Sequence, residues 1–245
     1  MVENALGKAD GDSRLTILHA FADKGAEDPC LSRYGDILRV SINITENEWS
    51  ESIQADINDM PLKDDTTFDI GWFHPPCGGV SPMSDTGSGN REDWPDLIPL
   101  AREVAEKHCE DWVIENKPRD SLDEEVTLTG HMFNLGIEYK RAFETSFSVE
   151  QPPIQKKLSE TSPFFYSEKS HGWWVGVKGT DSRFGKDHVA KNTIPSAYID
   201  YIMRHYSEHV ADDDGPDYSD YNGRMEKKRR QASNMCLKAF REMGE

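Results

Sequence analysis

Two residues in this chain have the types and settings for covalent chemistry, Cys77 and Glu115. Cys77 lies in Phe68-Asp69-Ile70-Gly71-Trp72-Phe73-His74-Pro75-Pro76-Cys77-Gly78-Gly79-Val80-Ser81. The apolar run 70–73 reads as a short buried strand. It must stop at the prolines, which cannot donate to a sheet ladder. The glycines that follow let backbone bend sharply or approach a ligand closely. A cysteine on a stiff loop beyond the C-terminal end of a strand stands where open α/β sheets bind ligands. Glu115 lies in Asp111-Trp112-Val113-Ile114-Glu115-Asn116-Lys117-Pro118, a second apolar run that ends in an acid, an amide and a proline. Adjacent strands of this kind bring both residues to one crevice. A thiolate nucleophile near a carboxyl that can carry a proton is a catalytic pairing. Taken singly, each has a plainer reading: a cysteine in such a loop as a small buried hydrophobe, a glutamate as a cap or surface acid. Their co-occurrence after two consecutive strands favours the catalytic reading.

The order of aspartate, hydrophobic run, Pro75-Pro76-Cys77, helix, hydrophobic run and Glu115-Asn116 resembles the DNA (cytosine-5) methyltransferases, and among them the compact phage and archaeal-virus type. The resemblance continues through Leu128-Thr129-Gly130-His131-Met132-Phe133-Asn134-Leu135, Tyr139-Lys140-Arg141, Phe143-Glu144-Thr145 and Gln151-Pro152-Pro153 to Asn192-Thr193-Ile194-Pro195-Ser196-Ala197-Tyr198, covering most of residues 14–206. It implies a doubly wound, Rossmann-like α/β sheet of the SAM-methyltransferase type with a much-reduced target-recognition insert. It implies S-adenosyl-L-methionine (SAM) as cofactor, double-stranded DNA as substrate and no metal. By the same resemblance Cys77 attacks C6 of cytosine, Glu115 contacts the N3 side of the ring, and Arg141 lies near the cytosine O2 and the phosphate. Arg141 as a structural ion pair is the alternative.

The resemblance also points to cofactor residues: Phe21, Gly25, Ser41, Trp49, Asp56 and Pro75. The family's first turn is glycine-rich; this chain keeps Phe21 and Gly25 but has Asp23 and Ala26 where glycines are expected. Ser41 stands where the family has an acid that grips the ribose hydroxyls, with Glu46 and Glu48 as nearby acids that could substitute. Ser81, Lys140, Lys178 and Arg183 are the expected DNA contacts. The cysteine and glutamate would survive in a degenerate relative that does not methylate and serves as a DNA-binding or regulatory protein, and that is the alternative function. An unrelated α/β hydrolase would need a histidine beside Cys77, and His74 at the strand end offers no clear relay geometry.

The elements that must position these residues follow from periodicity. Strands are expected over 15–21 and 37–42, with a third ending at Asp56. The loop 82–91, small and polar, reads as mobile. A helix is expected over 93–108, capped by Asp93 with Pro95 in the first turn. It is the crossover that makes the Cys77 and Glu115 strands parallel neighbours. The expected division is a disordered lead-in at 1–13, a catalytic domain at 14–153, a short recognition-like insert without regular structure at 154–191, a closing helix at 192–210, an acidic linker at 211–223 and a basic helix at 224–245. In the insert, Trp173 and Trp174 read as a patch over the sheet edge or as a surface for displaced DNA.

The chain has 245 residues and a mean hydropathy of −0.73, with no run resembling a membrane span or a signal peptide. Cys30, Cys77, Cys109 and Cys236 are widely spaced, without the clustering of a zinc site. A reduced cytoplasmic monomer is the expectation. The net charge of −17 runs against a DNA-binding role. The acids are scattered along the chain, which suits a halophilic surface of archaeal or viral origin better than an acidic tail. Far-ultraviolet circular dichroism should show the fold lost in dilute buffer and regained in molar potassium chloride. Full structure in dilute buffer would remove the halophilic reading.

Overall fold

The computed structural model describes residues 14–77, 95–119, 121–123, 126–154 and 161–212. The lead-in, Gly78 to Trp94 and the C-terminal segment from 213 lie outside these, and with them Ser81, Asp93, the expected mobile loop and the basic helix. The chain forms two compact units. The first comprises residues up to Gly25, Asp36–Leu128 and Lys140–Ser146; the second comprises Ala26–Gly35, Thr129–Tyr139 and residues from Phe147 onward. Residues 26–35 and 129–139, expected within the catalytic domain, thus belong to the second.

The first unit is built on a sheet of seven strands: β1 Leu15–Ala20, β2 Gly35–Ser41, β3 Ser50–Gln54, β4 Phe68–Phe73, β5 Cys109–Asn116, β6 Val126–Leu128 and β7 Arg141–Thr145. Their order is β3-β2-β1-β4-β5-β7-β6. The β1–β4, β2–β3 and β4–β5 pairs are parallel, and β7 runs antiparallel to both β5 and β6. The chain winds outward from β1 to β3, returns, and winds the other way from β4. This is a doubly wound, Rossmann-like sheet, with its switch point between β1 and β4.

Strand parity sorts the side chains, because successive residues face opposite sides. Leu18, Ala20, Leu38, Val40, Phe73, Ile114 and Ala142 share a core cluster with Ile98, Ala101, Val104 and Ala105 of helix α2, Ile98–His108. Burying each large apolar side chain is worth about 1.5–3 kcal/mol. The register pairs His19 with Trp72 and Trp72 with Val113, and sets Glu115 opposite Phe143, so these residues share the other face. Gly71 is required where it stands: a Cβ there would lie 2.3 Å from the Phe73 ring and 2.6 Å from the Cys109 sulfur. Burial pushes the Cys109 thiol far up, so this cysteine is an inert packing group.

Several expected boundaries shift. Strand β1 stops at Ala20 because Phe21 turns into the left-handed region, with φ of 60°. β2 ends at Ser41, leaving Ile42 exposed. β3 ends at Gln54, and the Asp56 carboxylate instead caps the short turn Ile57–Asp59 through Asn58. Helix α2 begins at Ile98, with Asp96 accepting from the Ile98 amide and Pro99 in the first turn.

In the second unit, α1 is Asp28–Leu31, α3 His171–Lys178, α4 Lys186–Lys191 and α5 Ser196–Asp212. The expectation of no regular structure over 154–191 is therefore corrected. Ser170 caps α3 by accepting from Trp173, and Gly179, at φ of 65°, ends it. Those capping residues outweigh the glycines inside the helix. Trp174 is fully buried, its indole N–H on the Tyr166 carbonyl, so it is packing rather than a stacking surface. Asp200 of α5 binds Arg33 at 2.6 Å and the Tyr34 hydroxyl at 2.5 Å, fixing α1 to α5.

Helix α2 is held to the sheet by charge as well as by packing. Arg102 grips Glu144 of β7 with two bonds of 2.6 and 2.8 Å, and the Asp123 amide donates to the same carboxylate at 2.9 Å. Removing Glu144 takes two charge-assisted bonds from the half-buried Arg102 and leaves it the Asp123 carboxylate and the Ser121 carbonyl, which costs about 1.5–3 kcal/mol. Glu144→Ala should therefore lower stability in urea titrations by about that much. Lys107→Ala, which breaks an ion pair to the exposed Asp64, should cost under about 1 kcal/mol.

Candidate active site

The end of β4 and the end of β5 are tied together at the carboxyl edge of the sheet. The His74 amide donates to the Ala20 carbonyl at 3.1 Å, carrying the ladder one residue past β4. Pro75 is buried, and its carbonyl accepts from the Asn116 side chain at 2.8 Å. The amide of the Glu-Asn pair thus holds the loop that leads to Cys77, which is half-buried.

Glu115 is 6% exposed. A carboxylate so buried must be paired. Arg141 Nε lies 2.8 Å from Oε1, an ion pair without the alignment of a directed hydrogen bond. His74 Nδ1 lies 3.0 Å from Oε2. Arg141 comes from β7, His74 from just past β4. The structure brings together Glu115 and Arg141, two of the residues singled out from sequence, and adds His74 to them. The expectation that His74 has no relay geometry concerned Cys77; its partner is Glu115.

Two further groups were missed. Lys117 follows the Glu-Asn pair directly and is half-buried. Burial holds its ammonium below the ordinary lysine value, repulsion from Arg141 adds to this, and attraction to Cys77 and Glu115 opposes it. It therefore lies within electrostatic reach of both the cysteine and the carboxylate. His19, fully buried, meets His74 edge to face with ring centroids 5.1 Å apart. The signal for each was present: a lysine beside the motif, and a histidine inside an apolar strand.

At the other end of this edge, the turn after β1 is tightly held. Arg39 is fully buried, and its guanidinium donates to the carbonyls of Ala22, Asp23 and Thr45 at 3.1, 3.0 and 2.6 Å. The Thr45 amide also donates to the Asp23 carbonyl, at 2.9 Å. Phe21 and Gly25 both take positive φ, 60° and 61°. For Phe21 that conformation is uncommon and is imposed by the surrounding bonds. Ser41 is buried, and its hydroxyl donates to the Asp23 carboxylate. Asp56 is exposed, and Trp49 is half-buried just before β3.

The expected DNA contacts divide. Lys140 is exposed. Arg183 is exposed but paired with Asp181 at 2.9 Å. Lys178 is corrected: it is fully buried, with Nζ on the Thr193 carbonyl at 2.6 Å and 2.9 Å from the centroid of the Tyr139 ring, so its charge is spent inside the second unit.

No protein-family profile and no curated protein matches the chain. Solved structures similar to it include a candidate DNA modification methyltransferase encoded within an E. coli prophage, at TM-score 0.41 and 14% identity over 59% of this chain and 53% of that one. Another is the Entamoeba histolytica methyltransferase EhMeth, at TM-score 0.48 and 10% identity over 81% and 99%. A third is the S. pombe Dnmt2 methyltransferase, at TM-score 0.38 and 20% identity over 64% and 57%. The chain thus spans little more than half of the first and third. All three TM-scores lie below 0.5, and no residue role is carried over from them. Among the described residues no helix is long and apolar enough to cross a membrane.

His74 supplies the group facing Oε2 of a buried carboxylate, and a buried acceptor that loses its partner costs about 1–3 kcal/mol. His74→Leu should lower the urea midpoint accordingly. His74→Asn, which can place an amide N–H near the same position, should recover most of the loss.

Proposed function

We propose that this chain is a SAM-dependent methyltransferase acting on C5 of cytosine in double-stranded DNA. The observation that carries the reading is the array at one sheet edge: Glu115 held by Arg141 and His74, on a strand whose next residue, Asn116, holds the Pro75 carbonyl and with it the Cys77 loop. The Pro75-Pro76-Cys77 and Glu115-Asn116 motifs single out the same cysteine and glutamate from sequence.

The residues present fit the cofactor. An exposed carboxylate, a buried hydroxyl and a turn with two positive-φ residues stand together at the ends of β1 and β2, and Phe21, Asp23, Gly25 and Ser41 would hold the nucleoside there. SAM, when bound, supplies an electrophilic methyl group. The protein's own part begins with a cytosine flipped from the duplex, at a cost of a few kcal/mol in lost stacking and pairing. The Cys77 thiolate forms a bond to C6, and the electron pair released into the ring makes C5 nucleophilic. Glu115 shares a proton with N3 and so relieves the charge that develops there; Arg141 keeps the carboxyl oriented toward the ring. Lys117 lies in electrostatic reach of Cys77. After C5 is methylated, a base removes its proton, the C6–S bond breaks, and the thiolate is regenerated.

A net charge of −17 opposes approach to DNA at low ionic strength. At molar salt the Debye length is about 3 Å, so that repulsion is short-ranged. The test is transfer of a labelled methyl group from SAM to cytosine-containing DNA in molar potassium chloride. Wild type should incorporate label and Cys77→Ala should not. Label retained by Cys77→Ala would refute the nucleophile, and no label from folded wild type would favour the non-methylating alternative.

A further inference from the structure

In doubly wound sheets an acid at the end of the second strand commonly binds the adenosine ribose hydroxyls. Here β2 ends on Ser41, and the residue that could supply the charge comes from elsewhere. We infer that Asp23, in the turn after β1, is the carboxylate that grips the ribose of SAM, with Ser41 as its positioning residue. The inference rests on the reading that this chain binds SAM and names a residue for that site.

Three observations carry it. The Asp23 carboxylate accepts from the Ser41 hydroxyl, so it sits at the tip of β2, where a β2 acid would otherwise project. Its backbone is fixed there: the Asp23 carbonyl accepts both the Arg39 guanidinium at 3.0 Å and the Thr45 amide at 2.9 Å, and Arg39 is fully buried. The side chain itself is exposed. An ionised carboxylate has about four lone-pair sites. Ser41 uses one, leaving enough to accept both hydroxyl protons of a vicinal diol. Ser41 is 3% exposed, and its hydroxyl orients the carboxylate rather than replacing it. The aspartate that breaks the glycine-rich turn and the serine that breaks the β2 acid are then one change: the charge has moved from β2 to the neighbouring turn.

Hydrogen bonds to a charged group are worth more than neutral ones, which corresponds to roughly a 10- to 100-fold change in affinity. The experiment is calorimetric titration of the full chain, in molar potassium chloride, with S-adenosylhomocysteine and with its 2′-deoxy analogue. Wild type should prefer the parent compound by about tenfold or more. Asp23→Asn and Asp23→Ala should weaken binding of the parent by roughly 10- to 100-fold and remove the preference between the two ligands. Ser41→Ala should have a smaller effect in the same direction, and Glu46→Gln and Glu48→Gln should have none. A urea midpoint equal to wild type establishes that each variant is folded, as expected for an exposed side chain. Unchanged affinity or an unchanged diol preference in Asp23→Ala overturns the assignment, as does a loss seen in Glu46→Gln or Glu48→Gln instead. Absence of any binding by folded wild type at millimolar ligand overturns the SAM reading itself, an outcome distinct from the other two.

Discussion

A buried carboxylate needs partners, and the way Glu115 obtains them organises the carboxyl edge of the sheet. Its two oxygens face a guanidinium from β7 and an imidazole from just past β4. Neither partner can be removed without leaving charge in a poorly solvated place. The strand that carries Glu115 also carries Asn116, which points to the opposite side and takes the Pro75 carbonyl. One two-residue step on β5 therefore serves two purposes. The odd residue presents a carboxylate to the site, and the even one locks the loop that ends in Cys77.

The first turn shows a different solution to the same problem of placing charge. Arg39 is buried and always charged. Its guanidinium donates to the backbone carbonyls of Ala22 and Asp23 in the turn after β1 and of Thr45 after β2. That bonding stiffens a turn short of glycines and leaves the Asp23 carboxylate exposed toward Ser41. Stiffness that a glycine-rich turn achieves through close backbone approach is here achieved by a guanidinium from below. Arg102 serves the first unit in a parallel way, joining α2 to β7 through Glu144.

Two lysines show why charge alone is a poor guide to a binding face. Lys178 and Lys140 look alike in sequence. One is fully buried over a tyrosine ring with its ammonium on a carbonyl, and the other is exposed. A long aliphatic stem lets lysine follow apolar surface, and whether its head reaches water depends on what packs above it.

The sequence by itself determined the sheet elements that carry the chemistry. Runs of apolar residues halted by prolines read as β4 and β5, and the helical repeat between them predicted a parallel crossover pair, because periodicity and proline act locally. It also singled out Cys77 and Glu115 by type and setting, and Arg141 by its resemblance to a family motif. Tertiary structure decided the rest. That His74 faces Glu115, that Lys117 lies in reach of Cys77, and that Asp23 stands beside Ser41 all depend on strand register, which brings together residues 18 to 41 positions apart. That Lys178 is interior depends on Thr193 and Tyr139 closing around it. Helix α3 was hidden because its glycines and tryptophans oppose helix formation locally, while capping and burial supply what local propensity lacks, and α4 because six residues are too few to show a helical period.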